Sequence, residues 1–200
     1  MATHTDHPHD YPLYLAGQPH VTGQWLEVED KYLQRCYARV ALADAQTLEQ
    51  AIQAAVQAEA AMATLKPFQK QKILLHCVQR FQECRAELTE LLIIEGGKPK
   101  RAAAAEVERL INTFQLAADA VTQMDQGRMM PLAVTAAACS YQGISKQVPI
   151  GTVSLISPFN FPLNLTAHKI APAIAAGCPF VLKPASLTPI SALKIAEILA

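Results

Sequence analysis

Between Asp44 and Met124 the apolar residues recur at three- and four-residue intervals, a period that predicts helices. Asp44 is placed to cap a run from Ala45 to Leu65, rich in Ala, Gln and Glu, which Pro67 ends. A second run, from about Phe68 to Glu95, aligns Ile73, Leu74, Cys77, Val78, Phe81, Leu88, Leu91 and Leu92 on one face. Its pattern allows a break near Cys84 to Ala86, and Gly96-Gly97 followed by Pro99 stops it. A third run, from about Arg101 to Met124, presents Val107, Leu110, Ile111, Phe114, Leu116 and Val121, with Gly127 closing it.

On either side of this block the pattern shortens. Tyr11 to Leu42 alternates apolar and polar residues between turn signals at Ala16-Gly17-Gln18 and Thr22-Gly23, as small antiparallel strands or extended segments do. Between Met129 and Val148 the pattern is again β, in Ala133-Val134-Thr135, Cys139-Ser140-Tyr141 and Gly143 to Val148. No helix accompanies this segment, so it reads as an arm of strands, a shape that often pairs with another subunit. From Gly151 the order is strand (Thr152–Ile156), helix (Leu163–Ala176, closed by Gly177), strand (Phe180–Leu182), helix (Pro189–Ala200). Thr188 is the expected N-cap of the last helix, with Pro189 at its first position. Two strands joined by a helix within one sheet should be parallel, with a right-handed crossover. Two parallel strands cannot cover their own edges, and the last helix carries no closing signal at Leu199-Ala200. The chain is therefore expected to be the front part of a longer protein, an incomplete domain.

Composition narrows the class. Hydrophobic residues make up 51% and charged residues 17%, which argues for a buried core and against disorder. Seventeen basic and seventeen acidic side chains balance, so no phosphate-tracking footprint for nucleic acid appears. No stretch is apolar for long enough to span a bilayer, and residues 1–10 lack the apolar centre of a secretory signal, so a cytoplasmic location is the default expectation. The five cysteines are scattered without Cys-x-x-Cys spacing, which argues against a zinc cage or a disulfide framework. Cys77 and Cys84, seven apart, are expected on one buried face. His4, His7 and His9 are expected in a solvated, disordered tail over residues 1–10 rather than around a metal.

Chemistry concentrates after Pro149. Each strand there ends in a Pro-punctuated turn with one polar side chain, Asn160 between Pro158 and Pro162, and Lys183 before Pro184. Carboxyl ends of parallel strands are where open α/β sheets bind ligands. A rigid Asn carboxamide at such an end can donate to a developing oxyanion, a contribution of roughly 3 kcal/mol to a transition state; it can equally serve the turn's own backbone. Lys183 reads either as a donor to a nucleotide ribose or phosphate, or as a lysine snorkelling from a strand exit. No G-x-G-x-x-G or P-loop occurs, and Gly96-Gly97-Lys98 follows a helix, so it is a helix stop. His168 is expected to pack within its helix, and Cys178, before Pro179 and a buried strand, to be structural.

Ser157-Pro158-Phe159-Asn160-Phe161-Pro162, followed by Ala175-Ala176-Gly177-Cys178-Pro179-Phe180-Val181-Leu182-Lys183-Pro184-Ala185-Ser186-Leu187-Thr188-Pro189, resembles the aldehyde dehydrogenase superfamily. Upstream, Glu95-Gly96-Gly97-Lys98-Pro99 with Glu106 is similar to the helices that precede these motifs in that family. The resemblance covers nearly all of the chain after the histidine-rich tail. It implies an α/β fold: a helical N-terminal layer, the start of a Rossmann-like parallel sheet and a β-strand oligomerisation arm. Residues 11–128 and 150–200 would belong to the cofactor-binding domain and 129–149 to the arm, with the catalytic domain outside this chain.

The resemblance further implies oxidation of an aldehyde to a carboxylic acid with hydride transfer to NAD or NADP, through a cysteine thiohemiacetal. Asn160 would be the oxyanion donor and Lys183 the adenosine-ribose contact, with Ile156, Ser157, Pro158 and Phe159 lining the cofactor cleft. NAD-preferring members often carry a Glu three residues beyond the lysine; this chain has Ser186 there, which permits NADP. No cysteine of this chain matches the family's nucleophile, which is expected beyond Ala200, as is the general-base glutamate, so residues 1–200 alone are expected to be inactive. A homodimer or homotetramer is the implied assembly. The competing expectation is a non-catalytic truncated homologue serving as an oligomerisation or regulatory module.

Overall fold

The computed structural model describes residues 8–124 and 127–200, and within them helices and short sheets alternate as an α/β fold. Strands β1 (His9–Tyr11), β2 (Leu13–Leu15), β3 (Gln18–His20), β4 (Trp25–Asp30) and β5 (Arg35–Ala41) come first. β4 and β5 pair antiparallel, but β1 joins β5 in parallel, a pairing that the alternation alone did not indicate. Arg39 clamps Asp10 with two 2.8 Å bonds across that junction. His9 and Asp10 thus belong to β1, while His4, His7 and the rest of the expected tail up to residue 7 lie outside the described residues. Val28, Ala38 and Val40 form the sheet's buried face and pack on Leu91 and Ile190.

The helical block follows its periodicity except at its breaks, at Leu116 and at Ile73, which is exposed rather than on the packed face. Asp44 caps α1 (Ala45–Gln57), its carboxylate accepting from the Thr47 N–H at 2.7 Å. The expected single helix to Leu65 instead divides at Ala58, and α2 (Glu59–Thr64) begins with Glu59, which accepts the Thr152 N–H at 2.8 Å across the fold. The second run also divides, at Cys84, into α3 (Pro67–Glu83) and α4 (Arg85–Gly96), and Gly97 ends α4 in the left-handed conformation at φ 62°. α5 (Lys100–Met124) packs along α3, with Phe81 and Phe114 meeting edge to face at 4.9 Å. Cys77 is buried and Cys84 packs at the edge of the same core. Leu116 does not join it and is 69% exposed. It lies two residues beyond Phe114, about 200° round the helix from the buried stripe.

Beyond α5 come β6 (Arg128–Met130) and β7 (Gly143–Ser145), paired antiparallel. Ala133–Thr135 and Cys139–Tyr141 are not strands; a 3₁₀ turn of three alanines, Ala136–Ala138, lies between them, as suits a residue with little preference for ladders. Gly127 is not a left-handed helix stop. A side chain there would press on Ile144 Cγ2 at 2.8 Å, so the glycine permits the close approach of β7.

The final unit is β8 (Val153–Ile156), α6 (Pro162–Ala176), β9 (Phe180–Lys183) and α7 (Ile190–Leu199), with β8 and β9 parallel as expected. Leu163, Ala167, Ile170 and Ile174 of α6 complete the core against α3 and α5, and Leu155, Phe180 and Leu182 pack on it from the sheet. Gly177, at φ 81°, ends α6. Thr188 does not cap α7. That helix starts after Pro189, and its first amides are claimed by a buried carboxylate from α4.

Candidate functional site

The register Ile156↔Lys183 brings β8 and β9 to the same level at their carboxyl ends, and the Ser157 N–H extends the ladder by bonding the Lys183 carbonyl at 3.2 Å. The turns 157–161 and 184–189 therefore leave from one edge of the sheet. Asn160, Pro158 and Phe159 stand exposed in the first turn, with Ile156 66% exposed just before it. Lys183 and Ser186 are exposed in the second, and Lys183 Nζ bonds the Pro184 carbonyl at 3.0 Å. Ser157 differs from the other six residues singled out in the sequence. It is buried, so what it offers at the surface is the backbone it holds in place.

Two glutamates hold these turns from below. Glu106, on α5 and almost fully buried, accepts the N–H groups of Leu163 at 3.0 Å and Asn164 at 3.2 Å, the first amides of α6. Its other oxygen pairs with Lys98 Nζ. Glu95, at the end of α4 and fully buried, does the same for α7, accepting from Ile190 at 2.8 Å and Ser191 at 2.9 Å. An anion at a helix start satisfies amides that have no partner within the helix and complements the positive end of its dipole. Burial raises the Glu95 pKa to about 7, against the pull of the Ser191 and Ile190 donors. Lys98 Nζ also sits 4.2 Å from the centre of the Phe161 ring, and the Arg109 guanidinium lies 5.5 Å from it.

Both glutamates belong to the motifs that carry the family resemblance, and those motifs alone give neither a task. A signal was nevertheless present, since Glu95 lies four residues after Leu91 and Glu106 four before Leu110, in register with buried stripes. An acid in such a position must find donors in the core.

His168 departs from expectation. It is exposed on α6 and, with Lys169, Ile150, Val153 and Cys178, lines a groove of about 460 Å³ beside β8. Cys178 is buried, as expected of a structural cysteine.

A parallel strand pair with both following turns on one sheet edge is the arrangement at which open α/β sheets bind ligands, and comparison with known proteins gives the family. The family model of the aldehyde dehydrogenase family matches residues 19–200, and the chain belongs to that family. The 3-sulfolactaldehyde dehydrogenase of Priestia aryabhattai is 34% identical over 189 residues, covering 94% of this chain and 39% of that protein. The structure of aldehyde dehydrogenase 21 from Physcomitrella patens, in complex with the reaction product succinate, superposes with a TM-score of 0.93 at 46% identity, over 96% of this chain and 40% of that one. Glyceraldehyde-3-phosphate dehydrogenase of Methanocaldococcus jannaschii, complexed with NADP, gives 0.81 at 32% identity, over 89% of this chain and 38% of that one. The chain thus spans about two fifths of the length of these relatives.

Proposed function

We propose that this chain carries the oxyanion donor and the dinucleotide anchor of an NAD(P)-dependent aldehyde dehydrogenase. The observation that carries the reading is the parallel register of β8 and β9, which sets the Asn160 and Lys183 turns on one sheet edge with both side chains exposed. The turn's backbone bonds run between other groups, Ser157 with Lys183 and Leu165 with Phe161, which leaves the Asn160 carboxamide available to a ligand.

The exposed edge suits a dinucleotide. Ile156 and Phe159 offer apolar surface, Lys183 a cation for the adenosine ribose, and Ser186 a small neutral side chain beside it. NAD(P), when bound, supplies the hydride acceptor. In this reading a thiolate attacks the aldehyde carbon, and the carbonyl oxygen, as it takes up negative charge, receives the Asn160 N–H. In this reading the thiolate comes from outside residues 1–200, because none of the five cysteines matches the family's nucleophile and none lies in either turn. The relatives named above handle small anionic aldehydes or bind the matching acid, which makes aldehydes of that class the first substrates to assay.

The hairpin of β6 and β7 is the subunit contact in this reading, supporting a homodimer or homotetramer. Met129 and Ile144, cross-strand partners, are 63% and 71% exposed. Exposed apolar side chains on a small hairpin, Met130 at 48% among them, suit pairing with another copy.

The test is aldehyde-dependent NAD(P)H formation by the complete polypeptide and by its Asn160→Ala variant. The variant should lose roughly 10²- to 10³-fold in kcat. An unchanged kcat would overturn the oxyanion assignment, and turnover by residues 1–200 alone would overturn the placing of the thiolate.

A further inference from the structure

Asn160 needs more than a rigid sequence, because Phe161, the residue after it, is at φ −138° and ψ 72°, outside both helix and strand geometry. What holds this backbone is a chain of contacts that runs from the buried Glu106 to the half-exposed Phe161 ring. Glu106 binds the amides of Leu163 and Asn164, Lys98 neutralises Glu106, and the same Lys98 ammonium lies over the Phe161 ring. Lys98 is itself mostly covered, its side chain 15% exposed against 1% for Glu106. At the start of the turn, Ser157 is tied to Lys183 through the extended ladder. Asn160 lies between these two anchor points, next to Phe161, and is exposed.

We propose that Glu106 and Lys98 are positioning residues that aim the Asn160 carboxamide by clamping Phe161 and the first turn of α6. This rests on the reading of Asn160 as oxyanion donor. The physical basis is the sensitivity of a preorganised donor to placement: an error of about 1 Å, introduced away from the chemistry, can cost on the order of 10²-fold in rate. Loss of the Lys98 charge frees the Phe161 ring and leaves the Glu106 carboxylate buried with backbone donors alone. Loss of the Glu106 charge keeps one acceptor for the α6 amides and releases Lys98.

The roles separate in a cycle measured on the complete enzyme, using Glu106→Gln, Lys98→Met and Lys98→Arg, each alone and combined with Asn160→Ala. Rates are normalised to correctly folded sites by NAD(P) binding. Glu106→Gln and Lys98→Met should each lower kcat by about 10- to 10²-fold, with KM for NAD(P) little changed, and Lys98→Arg should restore most of the rate. In the Asn160→Ala background neither substitution should lower kcat further, since the group they aim is gone. Equal losses in both backgrounds, or full activity of Lys98→Met, would overturn the proposal while leaving the oxyanion reading intact. Failure of Asn160→Ala alone to lower kcat would instead remove the oxyanion reading, and this proposal with it. Lys98→Met covers the case in which Glu106→Gln does not fold.

Discussion

Glu95 Oε2 accepts the backbone N–H of Ile190 at 2.8 Å, joining the end of α4 to the start of α7 across 95 residues of chain. Folding raises this carboxyl from 4.5 to about 7, chiefly through desolvation, with Glu106 adding to the rise. Between those values the folded protein keeps a proton that the unfolded chain has released. Stability therefore falls as pH rises through that window and levels off above it, a loss of about 3 kcal/mol from this group. Glu95→Gln removes the titration. The melting temperature of the parent, relative to the variant, should decline by several degrees from pH 4.5 to 7 and then hold constant; a difference independent of pH would contradict this.

Ser186 stands three residues beyond Lys183 in an exposed turn. If Lys183 contacts the adenosine ribose as proposed, a carboxylate at position 186 repels a 2′-phosphate. Ser186→Glu should raise KM for NADP at least about tenfold, equivalent to ~1.4 kcal/mol, with a smaller effect on NAD. Initial rates with the two cofactors decide it.

Phe81 and Phe114 are both fully buried and join α3 to α5. Phe114→Ala should cost about 3–5 kcal/mol, combining lost transfer energy with the cavity left behind. Denaturant titration should show a shifted midpoint. A loss below about 1 kcal/mol would mean that the core collapses around the gap.

Ile144 projects from the hairpin opposite Met129. If that surface meets another subunit, Ile144→Asp buries an unpaired charge there and should convert the assembly to smaller species in sedimentation. The melting temperature of the protomer should change little, because the side chain is exposed within the protomer.

The helices were legible because their periods are long and strongly marked, and the breaks at Cys84 and Gly97 fall where the pattern weakens or glycine intervenes. The break at Ala58 was not, because what draws Glu59 away is an amide 93 residues distant. The parallel β1–β5 pairing was hidden for the same reason: a three-residue strand has no period to read. At the site, the turns carrying Asn160 and Lys183 announced themselves through proline, and Thr188 misled because a local capping pattern ignores an acid arriving from another helix.

The sequence by itself determined the long helices, the strand–helix–strand–helix order after Gly151, and which two polar side chains stand at strand ends there, since these follow from local periodicity and turn chemistry. Only the tertiary structure decided what holds those strand ends in place. Helix-start amides need an acceptor, and the buried acceptors here, Glu95 and Glu106, reach them from helices far away in the chain. The local pattern marks both acids as buried but does not record which amides they reach, because those partners come from distant parts of the chain once burial has removed the water that would otherwise satisfy both.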